Sequence, residues 1–241
     1  MADDTAPTFG SRDLRLPDEL RGPLKAHLAD LKQAYKARSW AGRVGFGKRP
    51  AVVVIDLAAF WTDPRHTIGS NVDVVVEASA RLARAARAAG APVFFTCFAH
   101  DPSHPKSPHD LKQPISIPND DPRVWEIDPR LERRPTEKIV WKRYASAFKG
   151  TNFHDMLTMS RVDTLIVVGV STSHCVYATC RDATDAFHVI VPREGVGERC
   201  ELAHEVFLHD IDVDLGDVMS MDEVIGYLAT VRNGVAGGQN D

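Results

Sequence analysis

Residues Asp163–Cys175, DTLIVVGVSTSHC, decide how the rest of the chain is read. Leu165-Ile166-Val167-Val168 is a short apolar run rich in β-branched residues, the pattern of a strand covered on both faces. Gly169 ends it, and Ser171, Thr172 and Ser173 favour a turn or a helix cap over a continued strand. Beyond Cys175, residues 176–183 suit a helix, with Val176, Thr179, Cys180 and Ala183 on one face. The spacing therefore predicts Cys175 in the first turn of a helix that follows a central strand. At such a place the helix dipole favours a thiolate, and unpaired N–H groups can hold an oxyanion. The plainer reading is a buried, inert cysteine.

Outward from this stretch, apolar strands and amphipathic helices alternate. Ala51–Ile55 is a strand followed directly by Asp56, and Val72–Ala89 is a helix with an apolar stripe, stopped at Gly90. Pro92–Cys97 and Lys138–Val140 are the next strands, the latter running into Trp141-Lys142. A helix over Thr151–Ser160 precedes the opening stretch. After it come a strand at Val189–Val191, a helix near Leu202–His209, a short strand Asp217–Met219 and a helix Met221–Val231. This alternation predicts an α/β fold: a three-layer α/β/α domain around a mostly parallel, doubly wound sheet, spanning residues 49–232.

Residues 1–48 read as an N-terminal arm. Its segment Leu24–Ala37 is amphipathic (Leu24, Leu28, Leu31, Tyr35) and suits a helix packed outside the domain or on another subunit. Residues 233–241 read as a disordered tail, and Phe98–Pro122, rich in His, Pro, Ser and Asp, as a long surface loop.

The 241 residues are 44% hydrophobic and 26% charged, with a formal net charge of −4, enough apolar content for one large core. The charge balance argues against nucleic acid as a partner, and no apolar run reaches the roughly 18 residues of a membrane span. Met1–Gly10 has no secretory pattern, and the four cysteines (Cys97, Cys175, Cys180, Cys200) form no disulfide framework or CxxC pair. A cytoplasmic, reduced protein is expected.

Asp56, Lys142 and Cys175 all fall at or just past strand C-termini, the edge where open α/β sheets gather their ligands. A thiol, a carboxylate and an ammonium in one pocket divide labour naturally. Asp56 takes the proton from Cys175 and returns it to a departing amine, while Lys142 lowers the thiol pKa and steadies negative charge. The plainer alternative is an ordinary Asp–Lys ion pair beside an idle cysteine.

Three pieces resemble the isochorismatase-like cysteine hydrolases: Val52–Asp56 (VVVID), Lys142–Phe148 (KRYASAF) and Gly169–Val176 (GVSTSHCV). Gly42–Gly47, Val196–Arg199 and Gly216–Val218 are similar to the members that hydrolyse N-carbamoylsarcosine and maleamate. The resemblance implies a catalytic triad of Asp56, Lys142 and Cys175 working through a thioester on a small carboxylated amide, with ammonia released. It also implies a cis peptide before Ser171, an oxyanion hole from the N–H groups of Ser171 and Cys175, and Arg199 as the holder of a substrate carboxylate. A homotetramer is implied too. His174 and Tyr177 depart from the relatives' pattern, and with Phe60 and Trp61 they are candidate substrate-binding residues. His66, His100, His104 and His109 fit no metal-ligand spacing and no nucleotide fingerprint is present, so no metal and no cofactor are expected. Two further readings stay open: a vinyl-ether hydrolase, which needs the fold but not the thiol, and a non-catalytic binding protein.

Overall fold

The computed structural model describes residues 15–66, 68–99, 101, 103–113 and 121–237. In chain order its elements are α1 (Asp18–Lys36), β1 (Pro50–Ile55), α2 (Ala59–Thr62), α3 (Asp73–Ala88), β2 (Val93–Phe98), α4 (Pro108–Lys112), β3 (Ile139–Lys142) and α5 (Phe153–Met159). There follow β4 (Thr164–Val170), α6 (Tyr177–Ala183), β5 (His188–Pro192), β6 (Val196–Gly197), α7 (Glu201–Asp210), β7 (Asp217–Met219) and α8 (Met221–Gly237). The last helix thus runs past its expected stop at Val231, and residues 238–241 of the expected tail lie outside the described residues.

The seven strands form one sheet in the order β3-β2-β1-β4-β5-β7, with β6 attached to the end of β4. Every pairing between these strands is parallel. All residues of β1 and β4 are buried because both faces are covered, which is why their sequences read as unbroken apolar runs. Val53, Ile55, Leu165 and Val167 point to the layer that holds Phe153, Leu157, Val176 and Cys180. Their neighbours Val52, Val54, Ile166 and Val168 point to the opposite layer, against Val76, Leu82 and Ala83 of α3 and Val224 and Leu228 of α8. Each fully enclosed Val or Leu contributes about 1.5–3 kcal/mol to holding the layers together.

Strand order reverses between β1 and β4, so the crevice beyond their C-terminal ends is the topological switch point of the sheet. Gly169, near the end of β4, takes φ 116°, and a Cβ there would lie 2.1 Å from the carbonyl oxygen of Ile55. Only glycine lets the two strands approach so closely beside Asp56. Past Ile166, β4 leaves β5 and pairs instead with the two-residue β6, at Gly169–Val196 and Val170–Gly197. The sheet forks there.

Helix α1 docks on the outside of the domain against α7. The contact is largely polar: Arg21 pairs with Glu201 at 2.5 Å, Lys25 with Glu205 at 3.2 Å, and Lys32 with Asp212 in the turn after α7, while the Tyr35 ring lies 6.2 Å from that of His209. No α1 residue is fully buried, and Leu20, Leu31 and Tyr35 remain exposed. Among the described residues, no helix is long and apolar enough to cross a membrane.

Candidate active site

Asp56 is the first residue past β1, and its positive φ of 53° turns the chain sharply at the sheet edge. Thr96, on the adjacent β2, fixes the carboxylate: its hydroxyl donates to Oδ1 at 2.6 Å and accepts the Asp56 N–H at 3.1 Å. Lys142 ends β3, which lies beyond β2 and so two strand spacings, roughly 10 Å, from β1. A long side chain is needed to cross that gap. The Lys142 Nζ arrives 2.7 Å from Asp56 Oδ2, 3.4 Å from Cys175 Sγ and 3.3 Å from the Tyr144 carbonyl oxygen. Both charged side chains are almost wholly enclosed, at 2% and 1% exposure.

Cys175 comes from the far side of the switch point. The Val170–Ser171 peptide is cis, and residues Thr172–Val176 form a single π-helical turn before α6 begins at Tyr177. The predicted position in the first turn of an α-helix is therefore corrected: Cys175 sits in a wider turn ahead of it. Ser171 O accepts the Val176 N–H at 3.2 Å, the longer-range bond that such a turn requires. Thr179 donates to the Cys175 carbonyl at 2.7 Å and accepts the Ala147 N–H at 3.1 Å, tying the turn to the segment after Lys142. Glu198, just past β6, receives the Ser173 N–H at 2.9 Å and the Ser173 hydroxyl at 2.5 Å.

Burial alone would push Lys142 toward neutrality, but the Asp56 carboxylate above all, with hydrogen bonds to Asp56 and Cys175, outweighs it and holds the ammonium protonated. Burial, reinforced by the Asp56 charge, pushes the Cys175 thiol up to about 12. The Lys142 charge does lower the thiol pKa, in the expected direction, but burial and Asp56 outweigh it. One ammonium shared with a carboxylate does not offset desolvation, so the resting sulfur is a thiol.

The other expected site residues separate. Arg199 lies against the turn, its Nη2 donating to Ser171 Oγ at 3.3 Å, and burial draws its pKa down. His174 is partly buried, and its ring stacks on His109 of α4 at 5.5 Å and 13°. Burial, then the nearby His109, Lys142 and Arg199 charges, lower its pKa and favour neutral imidazole. Phe60 is buried in a separate cluster with Ile68 and Val124, packed against Trp61 and Trp125. The Trp61 Nε1 is enclosed there with no hydrogen-bond partner among the described residues. Tyr177 turns away: its hydroxyl donates to Asp210 at 2.5 Å and its ring packs edge-on against Phe207, both on α7. Among the described residues no group of three or more His, Cys, Asp or Glu is arranged to hold a metal ion, and His100 lies outside them.

Thr96, Thr179 and the role of Glu198 were not foreseen from sequence, because each acts through a partner distant along the chain. The capping box of α4, Ser107 with Asp110, was readable from its spacing inside what was expected to be loop.

Comparison with known proteins bears on this arrangement. A model of the isochorismatase domain matches residues 50–223. The N-carbamoylsarcosine amidase of an Arthrobacter species is 36% identical over 93% of this chain and 87% of its own length. The maleamate amidohydrolase of Pseudomonas putida is 32% identical over 78% of this chain and 91% of its own. A solved cysteine hydrolase from Pseudomonas syringae superposes with a TM-score of 0.70 at 25% identity, covering 78% of this chain and 97% of that one.

Proposed function

Since the chain belongs to the isochorismatase family, we propose that it is a cysteine-dependent amidohydrolase that cleaves the C–N bond of a small carboxylated amide or N-carbamoyl compound and releases ammonia. The observation that carries this reading is the single enclosed ammonium of Lys142, in contact with both the Asp56 carboxylate and the Cys175 sulfur. The names of two relatives, an N-carbamoylsarcosine amidase and a maleamate amidohydrolase, support the substrate class.

In this mechanism the Cys175 sulfur attacks the substrate carbonyl as its proton passes to Asp56. Coupling the two events suits a thiol that is protonated at rest. The N–H groups of Ser171 and Cys175 receive the developing oxyanion, and Arg199 receives the substrate carboxylate. Collapse breaks the C–N bond, and Asp56 hands its proton to the departing ammonia. Water then attacks the thioester with Asp56 as base, and the carboxylic acid leaves as the thiol re-forms. Lys142 stays charged throughout and keeps the Asp56 carboxylate in place for each proton transfer.

The vinyl-ether alternative has no use for a sulfur set between two charges, which favours the amide reading. Four free cysteines suit a reducing cytoplasm. The exposed Leu20, Leu31, Tyr35 and Trp40 of the arm, together with Leu202 and Val206 of α7, suit assembly into a homotetramer.

The test is ammonia release from N-carbamoylsarcosine, maleamate and a series of simple amides. Cys175→Ala should lower kcat on the best substrate by about 10³-fold or more. Retained ammonia release in that variant would overturn the mechanism.

A further inference from the structure

Glu198 touches both the turn that carries Cys175 and the arginine beside it. Its side chain is only 3% exposed. One oxygen, Oε2, accepts the Ser173 N–H at 2.9 Å and the Ser173 hydroxyl at 2.5 Å, inside the turn that carries Cys175. The other, Oε1, accepts the backbone N–H of Arg199 at 2.8 Å and lies 3.6 Å from that arginine's Nε. Arg199 in turn reaches the hydroxyl of Ser171, at the start of the same turn. Turn, carboxylate and guanidinium thus form a closed loop of contacts around Cys175.

We propose that Glu198 is a positioning residue that locks the substrate-holding arginine to the nucleophile turn, so that a carboxylate gripped by Arg199 is delivered at a set distance from the Cys175 sulfur. The inference rests on the reading of Arg199 as the carboxylate anchor. The chemistry demands a carboxylate. Ser173 N–H, Ser173 O–H and Arg199 N–H are all donors, and their partner must accept on both of its terminal atoms. A glutamine has one accepting oxygen and one NH₂ group, so one backbone N–H would be left facing another donor. An aspartate keeps the charge but is one methylene too short to reach both sides.

Alkylation of Cys175 tests this whatever the natural substrate is. Iodoacetate carries a carboxylate that Arg199 can grip, whereas iodoacetamide is neutral, so the ratio of their rates measures how well the arginine is aimed at the sulfur. Rates are followed by mass spectrometry on the Cys175 peptide, with thermal unfolding run alongside. Arg199→Ala should lower the iodoacetate-to-iodoacetamide ratio. Glu198→Gln should lower it by a similar factor, about tenfold, the size of one charge-assisted hydrogen bond, while the iodoacetamide rate changes less. Glu198→Asp should do the same, and it decides the matter if Glu198→Gln does not fold. A ratio that falls in Arg199→Ala but not in a folded Glu198 variant overturns the inference alone. A ratio unaffected by Arg199→Ala overturns the anchoring role and the inference with it. Both outcomes differ from absent ammonia release in the wild type, which would count against the proposed reaction.

Discussion

At the scale of single residues, enclosure governs the sulfur chemistry more than any one neighbour does. Cys97, Cys175 and Cys180 are all pushed up to about 12, by burial foremost, and for the first two by Asp56 as well. A folded pKa raised above the unfolded one means that the native state holds its proton longer. The associated stability is complete below the ordinary thiol range near 9.0 and is lost as pH climbs toward 12. Cys180, which no charged group influences, isolates this effect. Urea unfolding at pH 8, 9 and 10 should show wild-type stability falling more steeply above pH 9 than that of Cys180→Ala, by up to about 1.4 kcal/mol per pH unit. Parallel slopes would contradict it. Cys97 also lies close to the site electrostatically, but its sulfur contacts the Trp125 carbonyl at 3.4 Å.

At the scale of elements, the strand pair β1–β4 sets the spacing of the site. Gly169 stands opposite Ile55 in the register, one residue before Asp56. Its φ of 116° and the 2.1 Å clash awaiting any Cβ make Gly169→Ala a wedge between the two central strands. That substitution should cost about 2–4 kcal/mol in urea unfolding and remove activity; a near-neutral result would mean the strands can part there without harm. The strand-to-helix rhythm was legible because β1 and β4 are covered on both faces and so appear as continuous Val/Ile/Leu runs. So were Asp56, Lys142 and Cys175, since strand C-termini converge in any doubly wound sheet. What escaped was held by partners remote along the chain. Two residues of β6 carry no periodic pattern and become a strand only by pairing with the tip of β4. Thr96 looks like any strand threonine until β2 is set beside Asp56. Tyr177, adjacent in sequence to the nucleophile turn, is drawn off by Asp210, 33 residues later.

At the scale of the whole molecule, helix α1 of the arm is held largely by charge and contributes little to the core. Its links to α7 and the turn after it are mostly ion pairs, with the Tyr35 ring beside His209, and none of its helical residues is fully buried. Deleting residues 1–38 should therefore leave the domain folded, with a small change in Tm, while lowering the number of subunits per particle measured by light scattering. An unchanged subunit count would refute a role for the arm in assembly. The forked sheet has its own consequence. The tip of β4 carries the turn bearing the sulfur and, by way of β6, the loop bearing Glu198 and Arg199. On the proposed mechanism, blade and clamp are thus mounted on one rail. Thermal breathing of that rail carries them together, and the loop beyond β6 can be rewritten for a differently shaped cargo while the cutting edge stays where it is.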